Sequence, residues 1–283
     1  MASPDIATNR KKVKELSACI GDYTWTAWDY LGEAGIGIVT YDGRLRFAKP
    51  YPAYLVYCGD FYITGYRRSM SYLHEIVFAL RKTPYIAVQL PKHYGKEPMC
   101  TPWSFSVTVS SWTWKGQEGK NCLVEIYSDA PEVKLFVNGE SVGRKPAGEE
   151  QDYRTLFDTA YVSGKIKATA YYEDGTTAHY SLRTAKDEEA LCLLPVRVKL
   201  GKDELVYVAV ELRDREETLQ TAADRKICLR VEGVGHMQGL GSENPVSEEN
   251  FLDESRTTYY GRAMAVIRSG EDSGTSRLTA WAD

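Results

Sequence analysis

Short runs in which apolar and polar residues alternate dominate the chain beyond Pro84. They include FSVTVSSWTW, CLVEIYS, VKLFVNG and KIKATAYYEDG, and a period of two is typical of strands with one buried face. The dipeptides Asn138-Gly139 and Asp174-Gly175 tolerate the positive φ that two-residue hairpin turns need. We therefore predict an all-β domain from about Thr101 to Ala185.

The same alternation returns after the charged stretch KDEEA at 186–190, which has the composition of a linker. The runs PVRVKLG, ELVYVAVELRD, KICLRVEG and GRAMAVIRS predict a second sandwich of about ninety residues. The glycine-rich segment Gly233–Phe251 has a superficial likeness to a dinucleotide-binding fingerprint, but that fingerprint needs a βαβ unit around it. Because its surroundings are β throughout, we predict a loop with a turn at Asn244-Pro245.

Helical spacing appears only in the first third of the chain. Asn9–Ser17 has the pattern of the end of an amphipathic helix, and Ser69–Lys82 predicts a second helix that opens on a serine and closes on two basic residues. Between them, apolar residues from Ala18 to Ala27 predict a buried strand that runs into a glycine-rich loop. A helix followed by one such strand is a βα-type unit with most of its sheet absent.

Charge and hydropathy narrow the possible partners. The 39 acidic and 35 basic residues give a net charge of -4, without the basic stripe that binds phosphates. We therefore expect no nucleic-acid partner. No run approaches the roughly 20 apolar residues that cross a bilayer, and no secretory signal is visible, so we expect no membrane association and favour the cytoplasm.

The spacing of the cysteines and histidines indicates neither a disulfide framework nor a metal site. The six cysteines lie far apart in sequence, in a pattern that fits neither a disulfide framework nor a C-x-x-C metal site. Buried free thiols are the simplest interpretation. The four histidines are also scattered, so we predict no metal site and no cofactor.

The most informative stretch is GDYTWTAWDYLGE, Gly21–Glu33. Its C-terminal end presents Trp25, Trp28, Asp29 and Glu33. Aromatic and acidic side chains together are the mixture that sugar pockets use for stacking and for hydrogen bonds to hydroxyls. The same residues would equally suit a core in which the acids cap the following loop.

This stretch resembles the last barrel strand of glycoside hydrolase family 2, the β-galactosidase and β-glucuronidase family. Members carry Gly-x-Phe/Tyr-x-Trp-x-x-x-Asp at this point, and one branch of bacterial β-galactosidases continues as Asp-Tyr-Leu-Gly-Glu, matched here by Asp29–Glu33. The resemblance implies that Trp25 forms the floor of the subsite that binds the sugar being cleaved. It also implies that Asp29 and its neighbours Trp28 and Glu33 shape the rim.

A second segment extends the resemblance and bears on the sugar. Cys58–Phe61 and Gly65–Tyr72 are similar to the family's Gly-Asp-Phe segment and the run into its final helix, which adds Asp60 to the predicted substrate-binding residues. β-Glucuronidases carry Asn-x-Lys here, a cationic contact for the uronate carboxylate. Its absence near Asp60 favours a neutral sugar, most plausibly galactose.

The catalytic groups themselves are not matched. Retaining glycosidases need two carboxylates about 5 Å apart, and the family carries both on earlier barrel strands. We therefore predict no catalytic residue in this chain and no activity in isolation. The expected partners are a β-galactoside or oligosaccharide substrate and the missing N-terminal catalytic portion.

The remaining modules also resemble those that follow the barrel in these β-galactosidases. The segments SWTWKGQEGK, VEIYSDAPEVKLFVNGESVGRK and GKIKATAYYEDG carry this likeness. Trp112 and Trp114 lie two residues apart, and we predict that they belong to the core or to an interdomain contact rather than to a sugar platform.

The predicted fold is mostly β, with two immunoglobulin-like β-sandwiches preceded by an incomplete C-terminal piece of a (β/α)8 barrel. The predicted domains are a barrel remnant at 1–95 and sandwiches at 96–187 and 188–283. The alternative is a non-catalytic carbohydrate-binding or structural β-sandwich protein. A binding module has no use for a lone barrel strand and helix, which favours the enzyme.

Overall fold

The chain forms two compact units, Met1–Thr184 and Ala185–Asp283. The computed structural model describes residues 5–282. Strands predominate in both units and every strand pairing within a named sheet is antiparallel among these residues. The mostly β character predicted from the alternating pattern is therefore confirmed.

The first unit contains two α-helices and eight strands. They are α1 (Ile6–Glu15), α2 (Ser69–Val77), β1 (Tyr85–Gln89), β2 (Thr108–Val109), β3 (Asn121–Tyr127), β4 (Glu132–Val137), β5 (Glu140–Pro146), β6 (Arg154–Ala160), β7 (Lys165–Tyr171) and β8 (Thr177–Arg183). Single 3-10 turns occur at Pro91–His93 and Glu149–Gln151.

These strands form two four-stranded sheets, in the orders β2-β1-β3-β6 and β5-β4-β7-β8. Burial alternates along β4, where Val133, Leu135 and Val137 are buried and the residues between them are not. This is the period expected of a strand with one face in a core. The arrangement is consistent with a β-sandwich.

β1 belongs to the first of these sheets, although it lies within the 1–95 range predicted for the barrel remnant. Its Val88 is opposite Val124 of β3. The helices pack on the same region: Met70 and Leu73 of α2 and Ile6 of α1 share a core with Tyr85. The division into three domains stays a prediction.

The turn predicted at Asn138-Gly139 is confirmed, and the Asn138 side chain makes two further hydrogen bonds. Asn138 has φ 50° and Gly139 has φ 90°, as a turn with two left-handed residues requires. The Asn138 side chain accepts a hydrogen bond from the Lys165 amide at 2.7 Å and donates one to the Ser163 carbonyl at 2.9 Å. It thereby ties this turn to the start of β7.

The second unit consists of seven strands in two sheets. They are β9 (Ala190–Pro195), β10 (Leu205–Arg213), β11 (Lys226–Gly233), β12 (His236–Gly241), β13 (Ser255–Thr257), β14 (Arg262–Arg268) and β15 (Ser276–Ala282). The sheet orders are β12-β14-β10-β9 and β13-β11-β15. Apolar residues from both sheets, such as Val208 and Leu229, form a single core.

β12 corrects the prediction that Gly233–Phe251 is all loop. His236–Gly241 pairs with β14, with a register shift between Met237 and Gly239. Glycine weakens strand propensity, which is why the pattern did not indicate a strand. Pairing with a long neighbouring strand supplies the hydrogen bonds that overcome this preference.

The helix predicted at Ser69–Lys82 forms but ends earlier, at Val77. Ala79 adopts a left-handed conformation with φ 58°. The Leu80 amide donates to the Glu75 carbonyl at 2.7 Å and the Ala79 amide donates to Ile76 at 3.0 Å. These two bonds form a Schellman motif, which ends the helix although the apolar spacing continues.

The buried strand predicted at Ala18–Ala27 is wrong. Within that range only Trp25 makes a strand-like bridge, and Ile20, Tyr23 and Trp25 are exposed. A strand needs a neighbour for its backbone hydrogen bonds. No described strand lies beside residues 18–24, so this segment stays irregular with its apolar side chains in solvent.

Neither α1 nor α2, the two α-helices within residues 5–282, has the length and apolar character to cross a membrane. All six cysteines are free thiols. Only Cys58 and Cys122 are buried, so the expectation of buried thiols holds for two of the six cysteines.

Trp112 and Trp114 are both buried, and the Trp112 indole donates to the Val162 carbonyl at 2.9 Å, which confirms their place in the core.

Ile126 of β3, fully buried, provides a test of this core. Removal of its side chain leaves a cavity, so we expect Ile126→Ala to lower the free energy of unfolding by about 2–5 kcal/mol. Leu156 on the adjacent β6 is 40% exposed, and Leu156→Ala should cost no more than about 1 kcal/mol. Urea denaturation followed by tryptophan fluorescence makes the comparison, and equal losses would contradict the assigned core.

Candidate functional site

The predicted site lies where residues 25–29 run beside residues 58–61. The Asp60 amide donates to the Thr26 carbonyl at 3.1 Å, and the Phe61 amide donates to the Ala27 carbonyl at 2.8 Å. Trp28 and Phe61 form a parallel bridge. This bridge holds the two sequence segments that carry the family resemblance side by side.

Two tryptophans are presented to solvent along this ladder. Trp25 is 53% exposed and Trp28 is 49% exposed. The Trp28 ring stacks on Phe61 with centroids 4.4 Å apart, and Trp25 meets Tyr30 edge-on at 6.0 Å. The peptide bond between Trp25 and Thr26 is cis. We refer to the surface of Trp25 and Trp28 as the tryptophan face.

Indole rings held by packing on their inner side offer flat apolar surfaces to a ligand. Such surfaces stack on the apolar faces of sugar rings, because burying them removes a large apolar area from water. Trp28 is fixed by Phe61, whereas one edge of Trp25 is supported by Tyr30. Each ring of the tryptophan face thus offers a supported surface for stacking.

Asp29 follows Trp28 in the chain and has no exposed side-chain surface. Its carboxylate accepts a hydrogen bond from the Gly59 amide at 2.8 Å and forms an ion pair with Arg68. Burial raises the pKa of Asp29 to about 6, against the opposing effects of Arg68 and of the amides of Gly59 and Cys58. The carboxylate is therefore engaged by the protein and has no surface open to a ligand.

Gly59 explains the close approach of the two segments. A Cβ at this position would lie 2.5 Å from the Asp29 amide nitrogen and 2.6 Å from the carbonyl carbon of Trp28. Any larger residue would push the ladder apart. The Gly-Asp-Phe motif is therefore a packing requirement of the tryptophan face.

Arg68 completes the buried network. Its guanidinium lies over the rings of Tyr57, at 3.7 Å from the centroid, and of Tyr62, at 4.4 Å. Burial alone would lower the pKa of Arg68, but the adjacent Asp29 carboxylate raises it above its ordinary value. Two rings and a carboxylate thus compensate the cation for its lost hydration.

The two remaining predicted acids differ in exposure. Asp60 is buried and its carboxylate contacts Nδ1 of His74 on α2. Glu33 is exposed and accepts a hydrogen bond from the Tyr30 hydroxyl. Burial and Glu33 together raise the pKa of Tyr30 to about 12, so its hydroxyl remains a donor at neutral pH.

Of the five predicted residues, the structure therefore presents Trp25, Trp28 and Glu33 to solvent and buries Asp29 and Asp60. Their roles toward a substrate stay predictions. Arg68 was not among the predicted residues, and the only signal for it was its position in the Gly65–Tyr72 segment. The pairing of a buried acid with a base 39 residues away leaves no trace in local spacing.

Sequence comparison adds two profile matches. Residues 195–283 match the profile described as glycoside hydrolase family 2 C-terminal domain 5. Residues 119–178 match a domain of unknown function, DUF4982. The first falls within the second unit and the second within the first unit.

Similar proteins support the same assignment. The chain is 28% identical over 275 residues to a curated protein of Bacteroides ovatus named Beta-galactosidase BoGH2A, an alignment that covers 95% of this chain and 28% of that protein. It is 21% identical to a protein of Formosa agariphila named Putative beta-glucuronidase, over 88% of this chain and 22% of the relative.

A solved structure is similar over the whole chain. It is described as a glycosyl hydrolase family 2 member from Bacteroides cellulosilyticus, and it matches with a TM-score of 0.89 and 31% identity, covering 100% of this chain and 37% of that one. The chain belongs to glycoside hydrolase family 2 and corresponds to the C-terminal portion of its members. It spans between 20% and 28% of the length of the curated relatives it matches.

The buried carboxyl of Asp29 predicts a distinctive pH dependence. Its pKa is about 6 in the folded chain against 3.8 for the ordinary side chain, so between these values the folded state holds a proton that the unfolded state has lost. The free energy of unfolding must therefore fall as pH rises through this window. The amide introduced by Asp29→Asn does not titrate, so we expect the stability of the wild type relative to this variant to decrease from about pH 4 to about pH 6.

Denaturant unfolding of both proteins at several pH values measures this difference, because titrations elsewhere in the chain cancel. Glu33→Gln, which alters an exposed acid, is the matched control and should leave the wild-type slope unchanged. A stability difference that grows with pH would show that Arg68 has lowered the pKa of Asp29 instead.

Proposed function

We propose that this chain forms one wall of the sugar-binding site of a retaining glycoside hydrolase that acts on β-galactosides, and that it supplies accessory β domains. The observation that carries this proposal is the tryptophan face, in which Trp25 and Trp28 are both about half exposed on the segment whose Asp29 is paired with Arg68. Exposed aromatic rings on an internally braced segment are typical of a ligand surface.

The arrangement of residues 16–31 supports their origin in a (β/α)8 barrel. The parallel bridge between Trp28 and Phe61 is the pairing that barrel strands make, and parallel sheets are normally covered on both faces. Here Ile20, Tyr23 and Leu31 are exposed. Such apolar exposure is expected where neighbouring strands belong to a different part of the enzyme.

The predicted residues divide into two roles. Trp25, Trp28 and Glu33 are the contact residues, because their side chains reach solvent. Asp29 and Asp60 are positioning residues, because they are buried and act through Arg68 and His74. The rim function implied for Asp29 is then exerted through the backbone that it fixes.

The charge of the site favours a neutral sugar. Arg68, the cation nearest to Asp29, is committed to that carboxylate and to two tyrosine rings. A uronate carboxylate would have to compete with Asp29 for it. The relative named as a β-galactosidase agrees with this choice, and the relatives named as β-glucuronidases represent the alternative.

Hydrolysis requires groups beyond those of the tryptophan face. A retaining mechanism needs a nucleophile and an acid/base about 5 Å apart. Asp29 is held by Arg68 and has no exposed side-chain surface, and Glu33 is bound by Tyr30. We therefore propose that the catalytic carboxylates come from the N-terminal portion of the enzyme, that the present chain alone is inactive, and that no cofactor takes part.

Trp25→Ala tests the proposed wall in the assembled enzyme. Loss of the stacking surface should misplace the sugar relative to the catalytic groups, so we expect kcat/KM for a chromogenic β-galactoside to fall by roughly 100-fold. Trp281→Ala is the matched control, since Trp281 is an exposed tryptophan of the second unit at 44% exposure, and it should retain full activity.

Steady-state kinetics with the β-galactoside and the β-glucuronide of the same leaving group complete the test. We expect the galactoside to have the higher kcat/KM. Equal losses in the two tryptophan variants would contradict the role of the tryptophan face, whereas a preference for the glucuronide would contradict the proposed sugar alone.

A further inference from the structure

The first unit contains a cavity of about 610 Å³ that shares no residue with the tryptophan face. It lies on the outer side of the sheet β2-β1-β3-β6, where Gln89, Leu123 and Asp158 form its floor, and the segment 94–107 covers it. Small-molecule sites in proteins usually have volumes of about 300–1,000 Å³. We call this cavity the outer cleft.

The cover of the outer cleft is fixed to the rest of the unit. Thr40 and Met99 exchange two backbone hydrogen bonds, at 3.3 and 2.8 Å. The Ser106 hydroxyl donates to the buried carboxylate of Glu125 at 2.6 Å. The segment 94–107 is thus hydrogen-bonded to the rest of the unit at two points, which favours a largely preformed site.

Glu125 is the buried centre of this support. Its carboxylate also accepts hydrogen bonds from the Tyr127 hydroxyl at 2.8 Å and from Nε and Nη2 of Arg154 at 2.9 and 2.6 Å. With Ser106 this makes four donors, which is the full acceptor capacity of a carboxylate. Glu125 therefore shapes the cleft and has nothing left to offer a ligand.

Two other side chains are placed to contact a ligand. Tyr94 is 37% exposed and its hydroxyl donates to Oδ1 of Asp158 at 3.0 Å. Asp158 is exposed, and one hydrogen bond leaves most of its acceptor capacity unused. A partly exposed ring beside an acceptor-rich carboxylate and the Gln89 amide is suited to a molecule with an apolar face and several hydroxyls.

The charges of the cleft select against an ionic ligand. Its charged lining residues are two cations, Lys96 and Arg154, and two anions, Glu125 and Asp158. Arg154 is already paired with Glu125 in a bidentate geometry. With that pair balanced, Lys96 and Asp158 remain as one cation and one anion, so the lining carries no net charge and a ligand of either sign would meet a group of its own sign.

From these features we propose that the outer cleft is an accessory binding site for a neutral sugar, with Tyr94 as its stacking ring and Asp158 as its hydroxyl acceptor. This site goes beyond the proposed function, because it neither uses the tryptophan face nor requires the catalytic carboxylates. It would hold a second part of an oligosaccharide or a separate chain of the same polymer.

Protein-observed NMR of the 283-residue chain tests the proposal with lactose and cellobiose as neutral probes and glucuronate as a charged one. We expect either disaccharide, at up to about 20 mM, to shift the backbone amides of Gln89 and Leu123. Tyr94→Ala should weaken this binding about tenfold, since it removes both the ring and its hydrogen bond. Tyr94→Phe keeps the ring and should weaken binding less than Tyr94→Ala does. It serves as the conservative variant if Tyr94→Ala does not fold.

Asp158→Asn should also weaken binding, whereas Asp152→Asn is the matched control. Asp152 is an exposed acid of the same unit with φ 49°, a conformation that asparagine tolerates well, and it does not line the cleft. Trp25→Ala should leave these amide shifts unchanged, which separates this site from the proposed catalytic wall.

Three outcomes would overturn the proposal. The first is that neither disaccharide shifts the amides of Gln89 and Leu123. The second is that Tyr94→Ala binds the disaccharides with unchanged affinity. The third is that glucuronate binds more tightly than the neutral sugars. Each of these leaves the kinetic test of the tryptophan face unaffected.

Discussion

The ion pair between Asp29 and Arg68 is the interaction on which the predicted site depends. It joins the segment that carries the tryptophans to the segment that leads into α2. A buried charge is tolerated only with a well-placed partner and further hydrogen bonds, and here the Gly59 amide and two tyrosine rings supply them. Loss of either partner would leave the other charge buried and uncompensated.

This buried pair lets an incomplete piece of sheet keep a defined shape. Residues 26–29 are hydrogen-bonded to residues 60–61, and a short parallel ladder contributes little by itself. The Asp29 carboxylate and the close approach permitted by Gly59 fix the ladder. Trp25 and Trp28 can therefore be exposed without the segment collapsing onto the core.

Much of the fold could be predicted from the sequence because its determinants are local. The alternation along β4 and the Asn138-Gly139 turn depend on a few adjacent residues, and both appear in the structure. The end of α2 was misplaced, because left-handed Ala79 has no signature in apolar spacing. β12 was missed because its hydrogen bonds to β14 outweigh the low strand preference of glycine.

The site was predictable in part, for the same reason. The motif around Trp25 indicates five candidate residues, whose roles stay predictions, and it does not reveal which of them are buried. The strand predicted at 18–27 failed because a strand needs a neighbour for its backbone hydrogen bonds, and no described strand lies beside residues 18–24. Arg68 was missed because its partnership with Asp29 spans 39 positions.

We propose that the chain holds a wall of a sugar site and not the groups that cleave the substrate. The most direct measurement is the hydrolysis of a chromogenic β-galactoside by the purified 283-residue chain. We expect no turnover of this substrate above the uncatalysed rate. Measurable hydrolysis that is abolished by Asp29→Asn would contradict it, because the buried partner of Arg68 would then be a catalytic group.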